Sequence, residues 1–241
     1  MKIHTFASLE EAAVGIIEKI VDLLKNFEGD KFHIAFSGGS TPKLMFDIWV
    51  KNYREETLWD KLCVYLVDER CVPPTDSESN FGMMKAHLLD FVSIPSQQVF
   101  RIRGEDNPEE EAKRYSKLVY ESLPKSKEGY PQFDLVLLGA GDDGHTSSIF
   151  PGQEDLLKSA ELYMPSVNPY TEQKRIALTG EPMIQASRVY FFITGSNKAK
   201  VVADMFESDS NGPAAYVAHF SRFTEIFIDE SASTELDRVN E

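Results

Sequence analysis

Only two of the 241 residues are cysteine, and only five are histidine. Cys63 and Cys71 have no Cys or His ligand spacing around them. Neither a disulfide framework nor a metal site is therefore expected, and reduced thiols in a cytoplasmic protein are the simpler reading. Long hydrophobic runs are also missing. Stretches such as residues 135–138 and 189–193 fall far short of the ~20 apolar residues that span a bilayer. The first fifteen residues lack an apolar core followed by a small-residue cleavage site, so no signal peptide is expected there. Positive charge is scarce as well. With 25 Lys and Arg against 39 Asp and Glu, the formal charge is −14, which argues against a nucleic-acid or anionic-membrane partner.

What is present reads as an ordered domain. Hydrophobic residues make up 42%, with 12 Pro and 14 Gly, which excludes intrinsic disorder and collagen-like order. Ser8-Leu9-Glu10-Glu11 has the form of a capping box. Leu9, Ala13, Ile16, Ile17, Ile20 and Leu24 then follow at helical spacing, with Gly29 as the stop. Short apolar strands are expected at 33–36, 62–67, 99–102, 133–138, 175–178, 188–194 and 224–228. Helices are expected at 42–50, 80–89, 108–123 and 197–206. Strands alternating with helices imply an α/β fold with a mostly parallel sheet and helices on both faces. No repeat or low-complexity linker divides the chain, so residues 1–241 read as a single domain.

Ligands in such folds bind at the carboxyl ends of strands, and three polar loops occupy those places. The first, FSGGSTP, follows the strand at 33–36. Gly38 and Gly39 permit a tight turn, Ser40 and Thr41 offer hydroxyls, and the free amides of the next helix favour an anion. Lys43 lies beyond Pro42, so this is not a Walker loop. The same residues would also suit a plain turn with a helix cap. The second loop, VDERCVPPTDSESN, places Asp68, Glu69 and Arg70 at a strand end. The carboxylates suit a polyol and the guanidinium an anion, although a solvated ion pair would look alike. Cys71 has no feature that would activate it as a nucleophile.

The third loop, LLGAGDDGHTSSIFPG, formally contains G-x-G-x-x-G. Asp142 and Asp143 would repel a pyrophosphate, and Pro151 leaves little room for the required helix, so a dinucleotide site is rejected. Asp143-Gly144-His145 remains. A carboxylate two residues from an imidazole can fix its tautomer and raise its basicity, as a general base requires. His4, His33, His87 and His219 have no such setting and are assigned to core or surface. Arg175, at a strand start, and Lys198, at a helix start, are further candidates for an anion.

SGGSTP, VDERCVP with SN after it, and LLGAGDDGHTSSIFPG, in this order, resemble the 6-phosphogluconolactonase family. Arg175-Ile-Ala-Leu-Thr, Gly195-x-x-Lys198 and Gly212-Pro213-Ala214 extend the likeness over essentially the whole chain. The resemblance implies a modified Rossmann-like fold shared with glucosamine-6-phosphate isomerases. It also implies hydrolysis of a phosphorylated sugar lactone without metal or organic cofactor. By position, His145 would be the base, Asp143 would orient it, and Arg70 would serve the oxyanion or the substrate anion. Gly38, Gly39, Ser40, Thr41, Arg175 and Lys198 would surround the phosphate, with Asp68 also contacting substrate. The sister isomerases carry a Phe-Asn-Glu-Pro segment after the histidine, whereas Thr146, Ser147 and Ser148 follow here. A non-catalytic sugar-phosphate sensor usually adds a DNA-binding module, for which there is neither spare length nor basic charge. No G-x-S-x-G elbow occurs, in keeping with direct attack by water. Net acidity need not repel an anionic substrate, because screening acts over about 8 Å at physiological salt and leaves local Arg70, Arg175 and Lys198 in control.

Overall fold

The computed structural model describes residues 1–207, 210 and 212–236. In chain order its elements are β1 (Lys2–Phe6), α1 (Leu9–Lys25), β2 (Phe32–Phe36), α2 (Ser40–Tyr53), β3 (Leu62–Leu66), β4 (Asp68–Arg70), α3 (Asn80–Met84) and α4 (Pro108–Ser122). There follow β5 (Leu135–Leu138), α5 (Glu154–Leu157), β6 (Tyr163–Val167), β7 (Lys174–Leu178), α6 (Gly180–Ile184), β8 (Val189–Ile193), α7 (Ala199–Asp204), α8 (Pro213–Phe220) and β9 (Thr224–Asp229). Ser8 caps α1 by accepting from the Glu11 amide at 3.2 Å. Glu11 reaches back one residue further than a capping box requires, to the Ala7 amide at 3.3 Å. The helix ends at Lys25, with Asn26 as its cap, before the expected Gly29.

Six strands form a wholly parallel sheet in the order β1-β9-β8-β5-β2-β3. Every residue of β2, β3, β5, β8 and β9 is buried, so both faces of the sheet are covered. Helices α1 and α2 pack on each other and against this sheet. From β2 the chain proceeds outward to β3, then returns to place β5 on the other side of β2. The order therefore reverses between β2 and β5, and the loops leaving these two strands face one crevice. The Ser37 amide donates to the Leu137 carbonyl at 3.0 Å, holding the loops together.

A second sheet, β4-β7-β6, is antiparallel. Strand β7, expected from its apolar run, belongs to this smaller sheet. β3 ends at Leu66, and after Val67 the chain enters β4 of this sheet, so Asp68, Glu69 and Arg70 are strand residues rather than loop. The expected strand at 99–102 is reduced to a single bridge between Val64 and Val99. There the Phe100 carbonyl is taken by the Tyr115 hydroxyl at 2.8 Å, which diverts it from strand pairing.

Candidate active site

The crevice at the strand reversal holds a cavity of about 180 Å³ lined by Gly38, Asp68, Arg70, His145, Arg175 and Lys198, among others. A second hollow of about 180 Å³ adjoins it, lined by Gly38, Gly39, Ser40, Thr41 and Lys198. Loops after β2, β5 and β8 meet here with the β4–β7 ribbon. Asp143 lines neither hollow. It lies behind His145, beside a third hollow shared with Glu154 and Asp204.

Asp143 Oδ1 is 2.6 Å from His145 Nδ1 and accepts from the His145 amide at 3.1 Å. A carboxylate at Nδ1 places the proton there and leaves the lone pair on Nε2, which has no protein partner among the described residues. Partial burial alone would raise the Asp143 carboxyl, but the bonds from His145 outweigh it and hold the group below the usual carboxylate range. The turn depends on Gly141. A Cβ there would lie 2.0 Å from His145 Nδ1 and 2.6 Å from Asp143 Oδ1. Past the histidine, Ser147 and Ser148 adopt left-handed backbone with φ of 51° and 54°, strain that a packed site holds in place. Ser147 Oγ donates to the Leu178 carbonyl at 2.7 Å, and Ser148 Oγ donates to Asp68.

The carboxylates of β4 divide their work. Asp68 faces the cavity, accepting from Ser148 and from Asn80 Nδ2 at 3.2 Å. Glu69 points away and is 1% exposed. Its carboxylate accepts from the amides of Arg70, Asn80 and Phe81 at 2.7–2.8 Å and from Ser79 Oγ at 3.0 Å. Glu69 thereby pins the start of α3 and is not available to a polyol, contrary to the sequence expectation for that acid pair. Burial pushes its carboxyl up, opposed by those three amide bonds. Gly38 is required by the same cluster, because a Cβ there would lie 1.8 Å from Asn80 Oδ1.

Arg70 and Arg175 stand directly opposite each other across the β4–β7 pair. Like charges in that register repel, so the arrangement favours a negative group between or beside them. Arg70 donates to the Glu78 carbonyl at 2.5 Å, and Arg175 to Ser148 Oγ at 3.1 Å and Gln173 Oε1 at 3.0 Å. The Nε of each is buried and has no partner among the described residues. Burial lowers the Arg175 guanidinium from its ordinary value, with Asp68 opposing and Arg70 adding to the effect. At the other pole, the amides of residues 38–41 open the 14-residue helix α2, whose N-cap position makes no side-chain bond. Lys198, next to this loop, is ion-paired with Asp142.

The structure thus brings Gly38, Asp68, Arg70, His145, Arg175 and Lys198 to one cavity, Gly39, Ser40 and Thr41 to its extension, and Asp143 to the rear of the histidine. Arg175 lies on the Arg70 side of the cavity and does not line the extension formed by the glycine loop. Sequence reasoning missed Asn80, Ser147 and Ser148. Their signal was weak, since Ser-Asn after an acidic loop and Ser-Ser after a histidine read equally well as caps and turns. Among the described residues, no helix is long and apolar enough to cross a membrane.

Comparison with known proteins gives the same pattern. The family model described as glucosamine-6-phosphate isomerases/6-phosphogluconolactonase matches residues 6–226. A 6-phosphogluconolactonase of Treponema pallidum is 39% identical over 217 residues, covering 90% of this chain and 87% of that protein. One of Haemophilus influenzae is 36% identical over 204 residues, covering 83% and 85% respectively. The solved 6-phosphogluconolactonase of Trypanosoma cruzi superposes with a TM-score of 0.85 at 27% identity, covering 98% of this chain and 96% of that one.

Proposed function

Since the chain belongs to the glucosamine-6-phosphate isomerase/6-phosphogluconolactonase family, we infer its reaction from the branch that its own residues follow. It is a 6-phosphogluconolactonase, an ester hydrolase that converts 6-phosphoglucono-1,5-lactone to 6-phosphogluconate in the oxidative pentose phosphate pathway. The observation that carries this reading is the Asp143–His145 dyad followed by Thr146, Ser147 and Ser148. The sister isomerases, by resemblance, place a ring-opening glutamate in the segment directly after the histidine, and residues 146–151 contain no acid here.

His145 Nε2 takes a proton from water attacking the lactone carbonyl, and Asp143 stabilises the imidazolium that results. Arg70 is assigned to the negative oxygen that develops on that carbonyl. As the tetrahedral intermediate collapses, the ring C–O bond breaks and the imidazolium returns its proton to the released ring oxygen, so water is added with no covalent enzyme intermediate. The phosphate is assigned to the amides of residues 38–41 with Lys198, and Arg175 approaches it from the opposite wall. Asp68, with lone pairs left beyond its bonds to Ser148 and Asn80, accepts from sugar hydroxyls. We read the chain as one domain, since residues from 38 to 198 build a single site, and assign it to the cytoplasm on its two unpaired cysteines.

His145→Ala tests the assignment of the base. Turnover should fall by about 10²–10⁴-fold after correction for spontaneous lactone hydrolysis, the range typical of a lost general base. Binding of 6-phosphogluconate, followed by calorimetry, should persist. Near-normal turnover would remove His145 from this role.

A further inference from the structure

Asp143 Oδ1 is occupied by the amide and ring of His145, yet its other oxygen is not left to solvent. The hydroxyl of Tyr170 donates to Asp143 Oδ2 at 2.9 Å, the sole donor to that atom among the described residues. We propose that Tyr170 is a positioning residue of the lactonase reaction, holding the outer oxygen of Asp143 so that its inner oxygen stays aimed at His145. This rests on the assignment of His145 as the base.

The segment carrying Tyr170 is built to deliver it. Tyr170 lies in the turn between β6 and β7. There Asn168 Oδ1 accepts from the Tyr170 amide at 2.8 Å and from the Thr171 amide at 3.3 Å. Glu172, at φ 58°, closes the turn by donating to the Asn168 carbonyl at 2.9 Å. The Tyr170 ring meets Phe150 edge-on, with centroids 6.3 Å apart, and Phe150 packs on the His145 ring at 4.5 Å. One turn thus touches both the carboxylate and the aromatic support of the imidazole. Its far side is tied to the cationic wall, since Gln173 bonds Glu78 at 2.9 Å and Arg175 at 3.0 Å.

Tyr170 is nevertheless 70% exposed. So exposed a ring adds little to the core, and a phenol fixed on the half-buried Asp143 carboxylate is better explained by what it orients. The other charged groups near Asp143 are otherwise engaged or lack a bond to it. Asp142 pairs with Lys198, Asp204 pairs with Lys200, Glu154 accepts from the Gly152 amide, and the Arg175 guanidinium lies 5.9 Å from the centre of the Phe150 ring.

Removing the hydroxyl frees Asp143 Oδ2 and returns its share of negative charge to the carboxylate. The imidazolium is then better stabilised, so the base stays protonated to higher pH, and the carboxylate loses its fixed orientation. Tyr170→Phe keeps the ring on Phe150 and tests the bond alone. The acid limb of kcat/KM for the phosphorylated lactone should move to higher pH, because the carboxylate facing the imidazolium has lost a donor. The kcat on the alkaline plateau should fall several-fold, and KM should stay within about twofold, because Tyr170 removes no substrate contact. The titration of the His145 ring, followed by NMR without substrate, should move in the same direction. If neither profile moves and kcat is unchanged, the proposal is overturned. If the ring titration moves while the rate profile does not, Tyr170 still holds the dyad, but the failure lies with His145 as base, and the positioning role falls with it.

Discussion

Lys198 is ion-paired with Asp142, the residue immediately before the carboxylate that orients His145. One salt bridge therefore joins the proposed phosphate pole to the turn that carries the base. Asp142 is held below the usual carboxylate range, chiefly by this bond to Lys198 and against partial burial. If the substrate phosphate is held at Lys198, it competes with or shares that ammonium, and binding at one end of the cavity is then felt at the other.

If Lys198 serves the phosphate, Lys198→Ala should discriminate between substrates. A lost charge-assisted bond costs about 1.5–3 kcal/mol, or roughly 10–100-fold in KM for the phosphorylated lactone. Unphosphorylated gluconolactone should lose much less, only what the turn at 142–145 gives up with its salt bridge. Arg175→Ala should show the same bias, with some loss of stability because Ser148 and Gln173 lose a partner. Steady-state rates on both lactones, corrected for spontaneous hydrolysis, check the pair. Equal losses on the two substrates would place these cations elsewhere than at the phosphate.

Much of this site could be read from the chain because its loops are local. The candidate residues at 38–41 and 143–145 are each grouped within a few positions, and each group follows a strand end. The β4 ribbon was harder to see. Asp68, Glu69 and Arg70 look like a solvated turn until Ser79, Asn80 and Phe81 fold back and satisfy Glu69. That enclosure comes from residues ten to twelve positions away, and no local pattern encodes it. Strand β6 was hidden for a different reason. Pro165 within it argues against a strand, and is tolerated because β6 lies at the edge of the small sheet. Strand β1 is an edge strand too, and its exposed Lys2 and Thr5 break the apolar pattern. Tyr170 lies in a turn 27 residues from the aspartate it touches, so only the fold brings them together.

Gly141 sets the shape of the base turn, and the smallest possible side chain should disable it. Gly141→Ala would drive a methyl group against His145 Nδ1 and Asp143 Oδ1. The fold should survive, since the clash falls on side chains of a loop. A displacement of about 1 Å at a catalytic pair can cost on the order of 10²-fold in rate, and kcat should fall by that much with thermal unfolding little changed. A variant that keeps full activity would show that the dyad tolerates another geometry.

Away from the cavity, His33 and Asp134 make two opposed contributions to the pH dependence of stability. Burial lowers the His33 imidazole from 6.5 to about 4. Burial raises the Asp134 carboxyl from 3.8 to about 6, against its bond from the His33 amide and the charge of Arg188. Between pH 4 and 6.5 the unfolded histidine holds a proton that the folded one lacks, so this group makes stability rise with pH. Between pH 3.8 and 6 the folded aspartic acid holds a proton that the unfolded one has lost, so stability falls with pH. The two windows nearly coincide, and the slopes should largely cancel in the parent chain. Asp134→Asn keeps an acceptor for the His33 amide and leaves the histidine slope alone, so urea unfolding should show stability climbing from pH 4.5 to 6.5. His33→Gln should reveal the reverse, with stability declining from pH 4 to 6. Parallel curves for both variants and the parent would mean that neither group changes its protonation on folding.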